Sequence, residues 1–152
     1  EILNNKDIHI VVAGSGNPKD IQINSPTVQN NTHFIGVIKN MSKLYPVADT
    51  LIHPTLGDTY GMVVLEAMSH KLPVIVSSAK YCGFSEHLGA DEAIILDNPK
   101  ISKEISHGIK TLYNQADFRK KIAENGFKKA KKINWDTTTN CTLKSYSKIY
   151  QN

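Results

Sequence analysis

The chain has 152 residues, of which 40% are hydrophobic and 21% are charged, and its formal net charge is +4. This composition is typical of a folded globular domain and excludes disordered, collagen-like and disulfide-rich chains. The size favours a single domain. Because the longest apolar runs are only strand-sized, we expect neither a membrane span nor a signal peptide. Two distant cysteines, Cys82 and Cys141, favour a reducing compartment, so the default expectation is a cytoplasmic location.

The positive charge is concentrated in one segment. Seven Lys or Arg residues lie within residues 119–132. Apolar residues recur through the same segment at near-helical spacing, which favours one solvated face of a helix. Contact with a membrane surface is the alternative. A nucleic-acid-binding domain is not expected, because the sequence lacks the interleaved aromatic residues that such domains use.

Five short apolar runs predict β-strands, at residues 8–13, 32–35, 50–53, 73–77 and 93–96. Their apolar residues are continuous rather than alternating, as in a parallel sheet that is covered on both faces. Between and after them the pattern predicts helical segments at residues 41–49, 61–70, 84–88, 101–113, 117–133 and 136–150, the last capped by Asp136 or Asn134. This alternation predicts a doubly wound α/β fold, whose ligands bind beyond the carboxyl ends of the strands.

The segment after the third strand is the richest in candidate site residues. It reads HPTLGDTYGMVVLEA and leads into the buried helix. Gly61 begins that helix, where the missing side chain lets a ligand approach the backbone amides of Gly61, Met62 and Val63. Free amides at a helix N-terminus, together with the helix dipole, favour an anion and typically a phosphate.

Two carboxylates belong to the same segment. Glu66 lies in the apolar run VVLEAM, where a carboxylate is seldom left without a hydrogen-bonding partner. A ribose diol would serve, and a backbone cap or a lysine partner is an equal alternative. Asp58 lies just before the helix and could reach the same crevice, although an Asp in a Gly-Asp-Thr loop is more often a turn or cap residue.

This segment resembles the donor-site signature of the family 4 retaining glycosyltransferases. Residues 53–76 carry an acid, seven residues and a Glu, followed by Ala-Met and Leu-Pro-Val. The motifs VVAGSG and HFIGVI resemble the strands and Gly-rich loops of that family, and YCGFSEHL is similar to the version found in lipopolysaccharide core glucosyltransferases. The terminal NWDTTTNCTLKSYSKIY resembles the closing Trp and long helix, so the resemblance covers roughly residues 8–150.

The resemblance implies a role for each site residue. Asp58 and Glu66 are the catalytic candidates, with Asp58 binding the hydroxyls of the transferred sugar and Glu66 the donor ribose. The remaining donor-site residues bind the nucleotide through their backbone or shape its pocket. The amides of Gly61, Met62 and Val63 hold the diphosphate, Gly14, Gly16 and Gly36 line the nucleotide and phosphate pocket, and Glu86 belongs to the loop on the base side.

The resemblance also implies a fold and an activity. The chain would be the C-terminal, Rossmann-like half of a B-type glycosyltransferase, without its first strand and its N-terminal acceptor domain, and inactive alone. It would transfer a hexose, with uridine diphosphate as the carrier, to a glycan or glycolipid such as lipopolysaccharide at the cytoplasmic face of the inner membrane. The chemistry is mainly electrostatic stabilisation of the leaving diphosphate, with no metal or other cofactor. The alternatives are a non-catalytic module that binds sugar nucleotides and a sugar-nucleotide epimerase of the same fold.

Three features depart from the pattern of that family. Asp58 replaces the usual Glu and is one methylene shorter. Lys71 stands where the helix usually ends in Gly, at a position that can require left-handed backbone at a cost of about 1 kcal/mol. The resemblance also implies an earlier strand, loop and helix with an Arg and a Lys for the diphosphate, which are not among these 152 residues. Among other candidates, His53 is interpreted as a hydrogen-bonding wall residue, Cys82 as a packed thiol, and the histidines lack the spacing of metal ligands.

Overall fold

The computed structural model describes residues 5–150. The chain divides into two compact units, Glu1–Leu44 and Tyr45–Asn152. The first unit contains strands β1 (Ile10–Ala13) and β2 (Thr32–Gly36), which pair in parallel, and helix α1 (Pro26–Asn30). Short 3-10 helices span Pro18–Asp20 and Met41–Lys43.

One face of this two-stranded sheet is exposed. Val11 on β1 is 49% exposed and Ile35 on β2 is 40% exposed. The continuous apolar runs predicted coverage on both faces, and for these two strands that prediction is wrong. In the described part of the unit the strands have only the five-residue α1 as an α-helical neighbour, which is too short to cover both faces.

The second unit is built on a parallel sheet of three strands, in the order β3, β4, β5. These are Leu51–His53, Val74–Ser77 and Ile94–Leu96. The unit also contains the helices α2 (Met62–Ser69), α3 (Ser102–Asn114), α4 (Ala116–Lys132) and α5 (Trp135–Tyr150), with 3-10 helices at Tyr45–Val47 and Gly83–His87. All five strands thus lie where the sequence predicted them, and every pairing is parallel as expected for a doubly wound fold.

Strand β4 is the centre of the core, and no residue in it is exposed. A Cβ on Gly108 of α3 would lie 3.2 Å from Cδ1 of Ile75, so α3 packs closely on the face of β4 that Ile75 occupies. Because side chains alternate along a strand, Val74 and Val76 face the opposite side. On α4, Gly126 allows equally close packing against α2, since a Cβ there would lie 3.1 Å from Cε of Met68.

The basic segment forms one side of α4, as predicted. Ile122 and Ala130 are buried, whereas the exposed residues of the helix include five lysines, namely Lys120, Lys121, Lys128, Lys131 and Lys132. The predicted helix with an apolar buried side and a basic exposed side is therefore confirmed. Within residues 5–150, no helix combines the length and the apolar character that crossing a bilayer requires.

Two local predictions are resolved by the structure. The helix expected at residues 41–49 is instead two separate 3-10 turns, because Pro46 has no amide hydrogen to donate and disfavours helical backbone in the residue before it. The cap of α5 is Asn134 rather than Asp136, since Oδ1 of Asn134 accepts a hydrogen bond from the Thr137 amide at 2.9 Å.

Helix α2 ends in left-handed backbone at Lys71, whose φ is 58°. The Leu72 amide donates to the Ala67 carbonyl at 3.1 Å and the Lys71 amide to the Met68 carbonyl at 3.0 Å, which is the Schellman arrangement of a helix C-terminus. The left-handed geometry suspected from the sequence is thus present in a lysine. Its side chain pairs with Glu124 at 3.1 Å and lies over the Phe127 ring at 4.9 Å.

We expect Lys71→Gly to be more stable than Lys71→Ala by about 1 kcal/mol. Both variants lose the ion pair and the ring contact, so their difference isolates the cost of left-handed backbone in a residue with a Cβ. Urea unfolding of the two variants beside the wild type measures it. Equal stability of the glycine and alanine variants would show that this position carries no backbone strain.

Candidate functional site

The loop between β3 and α2 is held by the carboxylate of Asp58. Its Oδ2 atom lies 3.0 Å from Nε2 of His53, and its Oδ1 atom accepts hydrogen bonds from the amides of Gly61 at 2.7 Å and Tyr60 at 3.2 Å. Because a carboxylate oxygen only accepts, Nε2 of His53 carries the proton of the bond between them. Asp58 therefore has the turn geometry that the sequence favoured, and both of its oxygens have hydrogen-bonding partners at this loop.

These contacts lower the pKa of Asp58. Burial raises the pKa of the carboxyl, but the hydrogen bonds from His53, Gly61 and Tyr60, together with the charge of His53, outweigh burial and place the pKa below its ordinary value. The group is therefore a carboxylate at neutral pH. It presents a fixed negative charge at the point where the chain enters α2.

Gly61 is required by the geometry of this turn. Its φ of 84° is left-handed, and a Cβ added to it would lie 2.6 Å from Sγ of Cys82. The surrounding backbone is fixed as well, because the Asp58 amide donates to the Tyr81 carbonyl at 2.8 Å and the Phe84 amide donates to the Tyr60 carbonyl at 2.8 Å. Cys82 is fully buried against this turn, in agreement with its interpretation as a packed thiol.

The amides at the start of α2 differ in availability. The prediction that the Gly61 amide is free for an anion is wrong, because this amide already donates to Asp58. One of the three amides that were predicted to bind an anion is therefore used by the turn of the loop itself. The N-cap residue Gly61 has no side chain that could cap the next amides, and in the described residues the Met62 and Val63 amides have no acceptor. Two donors and the positive end of the helix dipole remain.

Glu66 lies one turn further along α2 and is exposed. Its Oε2 atom accepts a hydrogen bond of 2.8 Å from the hydroxyl of Tyr45. The partner is therefore neither the backbone nor the lysine considered as alternatives from the sequence. Burial of Tyr45, the hydrogen bond to Glu66 and the charge of Glu66 all raise the pKa of the phenol, so Tyr45 is the proton donor at any physiological pH.

Glu86 lies in the 3-10 helix Gly83–His87 and is exposed. A hydrogen bond joins this segment to the end of β4, where the Ser85 hydroxyl donates to the Ser77 carbonyl at 2.6 Å. Gly83 passes so close to the Thr59 carbonyl that a side chain would collide with it. The 83–87 segment thus packs directly on the Asp58 loop.

In the first unit, the structure brings Gly14 and Gly36 together at the carboxyl ends of β1 and β2. The Gly14 amide donates to the Gly36 carbonyl at 2.9 Å, and both glycines have positive φ, 143° and 68°. A Cβ on Gly14, Gly16 or Gly36 would meet nothing within 4 Å in the described structure. Gly14 and Gly36 are therefore set by backbone conformation rather than by local crowding, as expected for loops that follow parallel strands, whereas Gly16 has neither a positive φ nor a close neighbour among the described residues.

The sequence profile described as "Glycosyl transferases group 1" matches residues 1–115, well over half of the chain. The chain belongs to this family. Two curated relatives extend the likeness. "Uncharacterized glycosyltransferase MJ1607" of Methanocaldococcus jannaschii is 30% identical over 152 residues, covering 96% of this chain and 38% of that protein. "Lipopolysaccharide glucosyltransferase WaaG" of Escherichia coli K12 is 28% identical over 99 residues, covering 64% of this chain and 26% of that protein.

The fold of this group 1 glycosyl transferase chain also has close structural relatives. The crystal structure of Anabaena Alr3699/HepE in complex with UDP superposes with a TM-score of 0.82 at 20% identity, covering 93% of this chain and 41% of the other. That likeness identifies the Rossmann-like α/β fold of the B-type glycosyltransferases, as predicted. The chain spans between 26% and 41% of the length of these three relatives.

Sequence reasoning missed Tyr45 in this glycosyl transferase chain. Tyr45 is only 3% exposed, and a buried tyrosine hydroxyl requires a hydrogen-bonding partner. The available signal for the pair was this requirement of a buried tyrosine, together with a glutamate on an apolar helix that also needs a hydrogen-bonding partner. The roles in donor binding assigned to Asp58, Glu66, Glu86 and the glycines stay predictions. Among residues 5–150 there is no group of three or more His, Cys, Asp or Glu side chains placed to hold a metal ion.

We expect Gly61→Ala to destabilise the protein by more than about 2 kcal/mol, since it combines left-handed strain with overlap on Sγ of Cys82. In a Cys82→Ala background the overlap is gone, and the cost of Gly61→Ala should fall to about 1 kcal/mol. Chemical unfolding of the wild type, the two single variants and the double variant measures this coupling. Additive effects would contradict the close packing of the two residues.

Proposed function

We propose that this chain is the donor-binding part of a retaining hexosyltransferase that uses a uridine diphosphate sugar and acts on a glycan or glycolipid acceptor. The observation that carries the proposal is the start of α2, where uncapped amides of Met62 and Val63 follow directly on the ionised carboxylate of Asp58. In a glycosyl transferase the two amides would bind the leaving diphosphate, and the neighbouring carboxylate would accept hydrogen bonds from the sugar hydroxyls.

The chemistry follows from these two features. The departing diphosphate gains negative charge as the glycosidic bond breaks, and the Met62 and Val63 amides with the dipole of α2 stabilise that charge. Asp58 is already fixed by His53 and the Gly61 amide, so it accepts sugar hydroxyls without reorganising. Glu66 accepts the ribose hydroxyls. No metal ion or other cofactor takes part in this proposal.

The roles of the remaining predicted residues are also part of the proposal. Gly14, Gly16 and Gly36 would let the nucleotide phosphates approach the backbone, because their loops present no side chain there. The exposed Glu86 would lie on the base side. Support for the donor and acceptor classes comes from the relatives, one named for glucosyl transfer to lipopolysaccharide and one solved with UDP. The N-terminal acceptor domain is part of the proposal.

A non-catalytic sugar-nucleotide-binding module is the second candidate. It is favoured by one observation, namely that both oxygens of Asp58 already have partners within the loop. Such a module would bind the donor and leave it intact. Release of UDP from a UDP-hexose by the full-length protein, with transfer of the hexose to an acceptor, distinguishes the transferase from the module.

The direct test is ligand-observed NMR of this chain with UDP, ADP and GDP. We expect weak binding with a preference for UDP, and an increase in Kd of about tenfold for Glu66→Ala, the loss of a hydrogen bond to a charged group. Glu124→Ala, which removes a helical glutamate paired with Lys71, is the matched control and should bind UDP like the wild type. Binding unaffected by Glu66→Ala, or no preference among nucleotides, would reject the assigned donor site.

We also propose that the protein works at the cytoplasmic face of a membrane, held there peripherally by α4. Lys121, Lys128 and Lys132 are exposed, and their spacing of seven and four residues aligns them on one side of the helix. Each lysine near an anionic leaflet contributes about 1 kcal/mol of attraction. A glycolipid acceptor would lie at the same surface.

Replacing Lys121, Lys128 and Lys132 by Glu should abolish co-sedimentation with vesicles that contain phosphatidylglycerol and leave binding to neutral vesicles unchanged. The control carries the same change at three exposed lysines of the first unit, Lys6, Lys19 and Lys39, and should bind like the wild type. Equal loss in both triple variants would mean that net charge, rather than α4, causes the binding.

A further inference from the structure

Tyr45 and Glu66 form an unusual pair, because one end is buried and the other is exposed. Tyr45 is 3% exposed and begins the 3-10 helix Tyr45–Val47. Its hydroxyl donates to Oε2 of Glu66 at 2.8 Å, across 21 residues of sequence. Glutamate on an exposed helix face ordinarily samples several rotamers. Here the carboxylate is tied to a group that the core holds in place.

His70 contacts both members of this pair, the ring of Tyr45 and the backbone of Glu66. Its ring lies 5.2 Å from the ring of Tyr45, measured between centroids, with the planes tilted by 40°. Its Nδ1 atom donates to the backbone carbonyl of Glu66 at 2.8 Å, and the Ser69 hydroxyl donates to the same carbonyl at 2.6 Å. The ring that packs against Tyr45 is therefore fixed to the backbone of the residue whose side chain Tyr45 holds.

The second oxygen of the carboxylate is left available. In the described residues Oε1 of Glu66 accepts no hydrogen bond, whereas Oε2 is occupied by Tyr45. A carboxylate can accept at both oxygens. With Oε2 fixed, Oε1 has a defined direction before any ligand arrives, which reduces the entropy lost when a ligand binds.

We infer that Tyr45 is a positioning residue that orients Glu66 so that Oε1 reads the ribose hydroxyls of a nucleoside diphosphate. The inference rests on the proposed role of Glu66 in donor binding. Tyr45 touches no ligand itself and acts only through the glutamate. The consequence is selectivity for a ribonucleotide over a nucleotide without ribose hydroxyls.

The test compares UDP with 2′,3′-dideoxyuridine diphosphate, using Tyr45→Phe, Glu66→Ala and the double variant. Phenylalanine keeps the buried ring and removes only the hydroxyl. We expect Tyr45→Phe to raise the Kd for UDP about fivefold, to leave the Kd for the dideoxy nucleotide unchanged, and to have no further effect once Glu66 is Ala. His70→Ala loosens the ring of Tyr45 and should give a smaller loss of the same kind, which serves if Tyr45→Phe does not fold.

The outcomes distinguish failure of the donor site at Glu66 from failure of the positioning role of Tyr45. If the wild type does not bind UDP, or if Glu66→Ala leaves the Kd for UDP unchanged, the proposed donor site fails and this inference fails with it. If Glu66→Ala weakens binding of UDP but Tyr45→Phe does not, the donor site stands and the positioning role is rejected. Equal weakening of UDP and the dideoxy nucleotide by Tyr45→Phe would show a general structural effect and likewise reject it.

Discussion

The carboxylate of Asp58 is the contact on which the site depends. It joins the last residue of β3 to the first turn of α2, through His53 on one oxygen and the Gly61 amide on the other. Ordering the backbone of a loop costs about 1 to 2 kcal/mol per residue, and this contact contributes to meeting that cost. The negative charge also lies beside the positive end of α2, where the helix dipole stabilises it. Together with the backbone hydrogen bonds from Asp58 to Tyr81 and from Phe84 to Tyr60, this carboxylate sets the direction of the Met62 and Val63 amides.

The strands could be predicted because each is a continuous β-branched run, and β4 shows why this works, since its residues are buried on both faces. The same pattern misled for β1. Val11 looks like a core residue in the sequence and is half exposed in the structure, because local pattern does not say which neighbours cover a strand. For Lys71, by contrast, the prediction was correct. A lysine at the helix terminus, where the family usually has Gly, indicated left-handed backbone, and its φ is 58°.

The candidate site was predictable only where its residues are close in sequence. Asp58, Gly61 and Glu66 lie within one loop and helix, so a single stretch of sequence carries the family resemblance that implies a ligand, although spacing alone left a turn for Asp58 and another partner for Glu66 open. Their internal bonds were not predictable, because occupation of the Gly61 amide depends on the exact turn that the loop adopts. Tyr45 lies 21 residues from Glu66, and only the folded chain brings the two together.

Helix α5 buries none of its described side chains. All of the residues 134–149 are exposed, including Trp135 at 85% and Ile149 at 69%. Its 16 residues include four threonines, which are poor helix formers, and isolated helices of about this length are marginal in water. With the Asn134 cap and its own backbone bonds as its main support in the described structure, α5 is governed by a helix–coil equilibrium. Its helical content should therefore melt gradually with temperature, separately from the cooperative unfolding of the sheet.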